Sequence, residues 1–117
     1  MKILIAEDTE SVRCALRMVM EYLGHEVVGL ATDGEDALEK YELMRPELVL
    51  MDVRMPRMDG LTCTSLLAKR DPNAKVVIVT AGRVTPGEAR EAGASAFVEK
   101  PFGMVELQEA ITASAAA

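Results

Sequence analysis

Three carboxylates stand where two apolar runs stop: Glu7 and Asp8 after Ile3-Leu4-Ile5-Ala6, and Asp52 after Leu48-Val49-Leu50-Met51. Short apolar runs bounded by polar residues read as buried strands. In an open parallel sheet the C-terminal ends of the strands share one edge, and ligands bind there. Two further runs end on groups that suit a phosphate, Val76-Val77-Ile78-Val79 on Thr80 and Phe97-Val98-Glu99 on Lys100. Crowded carboxylates raise one another's pKa, and a cation resolves the conflict. Oxygen donors without Cys or His point to Mg2+, which binds through one or two carboxylates, waters and usually a phosphate. Asp8 and Asp52 are the candidates for direct ligands and Glu7 for one acting through water. A backbone carbonyl in the loop after Asp52, at Arg54, is a further candidate.

A carboxylate facing bound Mg2+ can attack phosphorus and form an aspartyl phosphate. The group in transfer spreads its charge over three equatorial oxygens, so it needs cations around it, and Lys100 would supply one beside the metal. The Thr80 hydroxyl would reach a phosphoryl oxygen only once the group is attached, which makes it a sensor of modification. Taken singly, each residue has an ordinary role: an Asp after a strand caps a turn or helix, Lys100 is a solvated charge, and Thr80 bonds its own backbone. Taken together, four strand ends carrying the right groups at one edge argue for a shared site.

The elements that must position these residues alternate along the chain, as in an α/β domain whose parallel sheet is covered on both faces. Strands are expected over residues 2–6, 26–31, 47–51, 75–79 and 96–99. The first helix, about 10–23, places Val12, Leu16, Val19 and Leu23 on one face, and Gly24 stops it. Asp33 is a candidate N-cap for the second, whose inward stripe is Ala37, Leu38 and Tyr41. The third opens after Asp59-Gly60, carries Leu61, Leu66 and Leu67, and ends at Asp71-Pro72-Asn73. The last runs from about Gly103 into the alanine tail, burying Val105, Leu107 and Ile111, with a frayed end over 115–117. The stretch between Thr80 and Phe97 is broken by Gly82, Pro86, Gly87 and Gly93, which leaves room for about two helical turns from Pro86.

A chain of 117 residues with this pattern reads as one domain over 1–117, without linker or repeat. Its formal charge of −6 argues against direct binding to nucleic acid, whose phosphates are neutralised by Lys and Arg. A first strand beginning at Lys2 and the lack of a long apolar run argue against a leader or membrane span, so a cytoplasmic location is expected. Cys14 and Cys63 lack the spacing of a metal or redox pair and read as free thiols, kept apart by the sheet. His25 follows Gly24 in a turn and reads as a surface residue rather than a catalytic base, so there is no credible Ser-His or Cys-His catalytic pair.

Glu7-Asp8, Asp52 heading Met-Asp-Val-Arg-Met-Pro-Arg-Met-Asp-Gly, Val79-Thr80-Ala81, Ala92-Gly93-Ala94 and Lys100-Pro101-Phe102 occur in order along the whole chain. As a set they resemble the receiver domain of two-component response regulators. The resemblance implies a doubly wound, flavodoxin-like five-stranded sheet of order 2-1-3-4-5. It makes Asp52 the phosphoacceptor, Glu7 and Asp8 the metal-binding pair, Lys100 the conserved lysine, Thr80 the phosphate-sensing hydroxyl and Phe97 the aromatic switch. It implies a cis Lys100-Pro101 bond. A histidine kinase or histidine phosphotransfer protein would be the phosphoryl donor, and the output would be a separate protein or a C-terminal effector domain. Two features depart from the pattern: the Thr80–Gly93 segment is short and rich in Gly and Pro, and Phe97 lacks the hydroxyl of the tyrosine often found there. An aspartate-nucleophile phosphatase is the alternative, but it wants a second acid two positions after the nucleophile, where this chain has Arg54. A flavin carrier would need a phosphate-cradling loop where the acids Glu7 and Asp8 stand.

Overall fold

The computed structural model describes residues 1–82 and 84–116. Runs rich in Val, Ile and Leu form the strands β1 (Lys2–Ala6), β2 (Glu26–Ala31), β3 (Leu48–Asp52), β4 (Val76–Thr80) and β5 (Ala96–Glu99). Between and after them lie the helices α1 (Glu10–Tyr22), α2 (Gly34–Met44), α3 (Gly60–Arg70), α4 (Pro86–Ala92) and α5 (Met104–Ala116). The strands are all parallel and ordered β2-β1-β3-β4-β5, the doubly wound arrangement expected. Two strands run one residue further than the sequence suggests. Asp52 pairs with Val79 and Thr80 with Glu99, so the carboxylate and the hydroxyl project from ladder positions rather than from loops.

The sheet divides the core in two. Leu4, Val49, Met51 and Ile78 face α2, α3 and α4, where Tyr41, Leu67 and Ala89 meet them. Ile3, Ile5, Leu50 and Val77 face α1 and α5, where Leu16, Met20, Leu107 and Ile111 meet them. Every residue of β3 and β4 is buried, because central parallel strands are covered on both faces. The two thiols follow this division: Cys14 is exposed on α1, Cys63 is buried on α3 against the opposite face, and both are free.

One inward-facing residue is corrected. Val105 is 71% exposed, and α5 instead buries Leu107, Ile111 and Ser114. At about 100° per residue Val105 lies two positions from Leu107 and so on nearly the opposite side, whereas 107, 111 and 114 share a face. The Ser114 hydroxyl is buried and has no hydrogen-bond partner among the described residues. On α3, Leu67 is buried as expected, but Leu61 and Leu66 only flank the core, and Gly60, Cys63 and Thr64 take the inner face.

Helix ends follow their capping residues. Asp33 and Asp59 accept from the backbone N–H of Asp36 and Thr62, each at 2.8 Å. The short α4 has a cap the sequence reading missed: Thr85 Oγ1 accepts from Glu88 N–H at 3.1 Å while Glu88 Oε1 accepts from Thr85 N–H at 3.0 Å. This reciprocal pair satisfies two orphan donors of a seven-residue helix and lets it form among glycines. Across the sheet's other end, buried Tyr41 donates to Asp71 at 2.8 Å, tying α2 to the end of α3. Burial and the Asp71 carboxylate push the Tyr41 phenol up to about 12. Residues 83 and 117, within the short segment and the alanine tail, lie outside the described residues. Among the described residues no helix is long and apolar enough to cross a membrane.

Candidate functional site: a carboxylate cluster at the strand ends

The loop leaving β1 carries Glu7 and Asp8 into the edge where β3 ends. Each of Glu7, Asp8 and Asp52 offers an oxygen within 4.8 Å of the others. Glu7 and Asp52 are buried, at 1% and 8% exposure, while Asp8 faces solvent. Glu7 is fixed from several sides. Its N–H donates to the Ala31 carbonyl at 3.0 Å, and its Oε2 accepts from Thr9 N–H at 3.2 Å. Its Oε1 accepts from the Lys100 ammonium at 3.0 Å. The same Lys100 Nζ lies 3.7 Å from Asp52 Oδ1, so one cation bridges two of the three acids.

Lys100 reaches the cluster from the far side of the sheet. Its N–H donates to the Thr80 carbonyl at 2.7 Å, so β4 and the end of β5 position lysine and threonine together. The Lys100-Pro101 bond is cis, as the resemblance implied. Thr80 is 1% exposed at the last position of β4, and Phe97, half-buried in β5, packs on the cluster facing α2, α3 and α4. Arg54 is exposed in the loop two residues after Asp52. His25 stands at the opposite edge, just before β2, with Nδ1 3.2 Å from the N-terminal amine and Nε2 3.0 Å from Gln108 Oε1.

Two residues that shape the site were not singled out from the sequence. Arg13, in the first turns of α1, reaches back to donate to the carbonyls of Glu7 at 2.8 Å and Asp8 at 3.3 Å. No periodicity marks such a bond, because it runs from a helix to the loop before it. Gly60 opens α3 against the backbone of Asp52, where a Cβ would lie 2.0 Å from the Asp52 carbonyl oxygen. The Asp-Gly pair was read only as a helix start. Its glycine is required because no side chain fits between α3 and the strand end that carries Asp52.

Electrostatics set the three acids apart. Burial and the Glu7 carboxylate push Asp52 up to about 6, against the pull of Lys100. Burial and the same neighbour raise Asp8. Burial works to raise Glu7 as well, but the Thr9 N–H and the Lys100 ammonium outweigh it and hold Glu7 below the usual carboxylate range. Glu7 is thus the committed anion, satisfied by protein donors. Asp8 and Asp52 carry the uncompensated repulsion and keep oxygens free for an added cation. An all-oxygen set, part buried and electrostatically strained, fits a hard divalent ion such as Mg2+.

Residues 3–112 match the family of response regulator receiver domains. The chain is similar to the chemotaxis protein CheY of Thermotoga maritima, with 38% identity over 94% of this chain and 93% of that protein. It is 43% identical to the transcriptional regulatory protein PdtaR of Mycobacterium tuberculosis over 94% of this chain and 54% of that protein, so it spans about half of that relative. Among solved structures it resembles the response regulator protein TrrA of Thermotoga maritima in complex with Mg2+ and BeF. The TM-score is 0.88 and the identity 29%, covering 97% of each chain.

Proposed function

The chain belongs to the response regulator receiver domain family, and we propose that residues 1–117 act as one receiver domain whose Asp52 is the phosphoacceptor. The observation that carries this reading is the convergence of Glu7, Asp8 and Asp52 within 4.8 Å, with Lys100 at 3.7 Å from Asp52. A histidine kinase or a histidine phosphotransfer protein supplies the group. The Asp52 carboxylate attacks phosphorus, the P–N bond of the donor phosphohistidine breaks, and its electron pair leaves with the imidazole.

Each neighbour has a task in that exchange. Asp52, with its carboxyl near 6, is ionised at neutral pH yet more basic than an exposed aspartate, which favours attack. Lys100, held by Glu7, presents its ammonium to the phosphoryl oxygens. Glu7, Asp8, Asp52 and the Arg54 carbonyl would hold Mg2+, which neutralises charge on the group in transfer when bound. The Mg2+ and BeF bound to TrrA support this assignment here. Thr80 donates its hydroxyl to the attached group, and Phe97 turns inward as Thr80 moves. Chemistry is thereby confined to the domain's own aspartate, and the output is a changed surface read by another protein or by an effector domain. The free thiols suit a reducing compartment, and we place the exchange in the cytoplasm. The phosphatase reading is not favoured, since the exposed Arg54 stands where a general acid is needed.

Whole-protein mass after incubation with acetyl phosphate tests the proposal. One phosphoryl increment that requires Mg2+ and disappears in Asp52→Asn is expected. An increment that is indifferent to both would overturn it.

A further inference from the structure

Gly34, the first residue of α2, is wedged against the loop that joins β3 to α3. Its N–H donates to the Met58 carbonyl at 3.0 Å, and its own carbonyl accepts from Cys63 Sγ at 3.4 Å. Gly34 is buried, and a Cβ there would collide with the Met58 carbonyl oxygen and lie 2.7 and 2.8 Å from Met58 Cβ and Cγ. Carbon atoms rest about 3.5–4.0 Å apart, so any side chain at this position forces a displacement of about 1 Å. The loop is the party that would move. Ala37, Leu38 and Tyr41 set α2 against the core and Asp33 caps it, whereas Arg54, Pro56 and Arg57 in the loop are exposed. The loop is also closed on itself: Gly60 N–H donates to the Val53 carbonyl at 2.8 Å, and Met58 N–H to the Pro56 carbonyl at 2.7 Å. A push at Met58 is therefore carried through the closed turn to Arg54.

We infer that Gly34 is a positioning residue for the metal site: by letting α2 touch the Met58 carbonyl, it sets where the Arg54 carbonyl stands relative to Asp8 and Asp52. The inference rests on the reading of Arg54 as a metal ligand given above and adds what holds that ligand in place. The identity of the ion makes the position matter. Mg2+ demands near-octahedral geometry at about 2.0–2.1 Å, whereas Ca2+ accepts looser oxygen sets at about 2.3–2.6 Å. A loop displaced by about 1 Å therefore costs Mg2+ more than Ca2+. A plain loss of stability would not separate the two ions, since both act by selective binding to the folded state.

The test is calorimetric titration of the full chain with Mg2+ and with Ca2+, without a phosphoryl donor, in the parent, Gly34→Ala and Gly29→Ala. Gly29 is the control: it lies in β2, where a Cβ would stand 3.1 Å from Leu4 Cδ1 and touch only packing. Gly34→Ala should weaken Mg2+ about tenfold, the loss typical of a support behind a ligand, and Ca2+ by less. It should also shift the amide resonances of residues 53–58 in the metal-free protein. Gly29→Ala should leave both affinities as in the parent, whatever it does to the thermal melt. Cys63→Ala removes the donor to the Gly34 carbonyl and adds no atom, which keeps the test valid if Gly34→Ala does not fold. It should weaken Mg2+ in the same sense by a smaller factor, again more than Ca2+. Equal losses for the two ions, or a parental Mg2+ affinity in Gly34→Ala, would overturn the inference, and so would a parental affinity in Cys63→Ala where Gly34→Ala does not fold. Phosphoryl uptake by the parent separates the two claims: Mg2+ binding that depends on Gly34 in a protein that takes up no phosphoryl group counts against the function proposed above and leaves the positioning role standing.

Discussion

At the scale of single residues, the site is a balance of like charges that the chain has only half resolved. Lys100 satisfies Glu7 and leaves Asp52 strained, and this strain has a measurable sign. The unfolded chain releases the Asp52 proton near 3.8, the folded one near 6. Between those values the unfolded state holds fewer protons, so stability falls as pH rises through the window. Asp52→Asn should therefore be the more stable protein at pH 7.5 in chelator, by about 1–2 kcal/mol after allowing for solvent screening. The advantage should vanish near pH 4 and shrink when millimolar Mg2+ stabilises the parent by mass action. Denaturant melts at the two pH values check it, and a variant less stable at neutral pH would contradict it. Arg13 makes a second case. By fixing the Glu7 and Asp8 carbonyls it sets where the acid pair points. Arg13→Met should weaken Mg2+ binding several-fold in calorimetry while leaving the thermal melt in chelator within a few degrees, because methionine keeps much of the apolar stem of this half-buried side chain.

At the scale of elements, legibility tracked the strength of local signals. β1 and β3 could be read because central parallel strands are continuous apolar runs, and α2 because Asp33 and the stripe Ala37, Leu38, Tyr41 agree. The error at Val105 came from counting an apolar residue near a helix start as inward without checking its angle to Leu107. Arg13 and Gly60 went unread because their roles depend on approaches between elements, which no single-helix pattern encodes. The unpartnered Ser114 hydroxyl is a small burden on α5. Ser114→Ala should raise stability by roughly 1 kcal/mol in a denaturant melt, since an unmade buried hydrogen bond costs about that much. The α4 region is where we expect movement. Apart from Ala89 and half-buried Val84, few apolar groups anchor it. Elements with few buried contacts open most readily and are the ones used as switches. Amide exchange in the beryllofluoride-loaded protein should become slower over Gly82–Gly93, of which residue 83 lies outside the described structure, and at Phe97. Changes confined to α1 would contradict this.

At the scale of the whole molecule, the two-faced core and the functional edge are consequences of one topology. Parallel strands in the order β2-β1-β3-β4-β5 bring the ends of β1, β3, β4 and β5 to one edge, although Glu7 and Lys100 are 93 positions apart. That long-range meeting was inferable from four strand ends alone. The central claim is that this topology serves to make Asp52, and no other acid, a phosphoacceptor. Borohydride reduction of the acetyl-phosphate-treated protein, followed by peptide sequencing in the mass spectrometer, addresses it directly, since an acyl phosphate is reduced to an alcohol. The account predicts homoserine at position 52 alone. Reduction at Asp8 or Glu7, or a phosphoryl group found on His25, would contradict it.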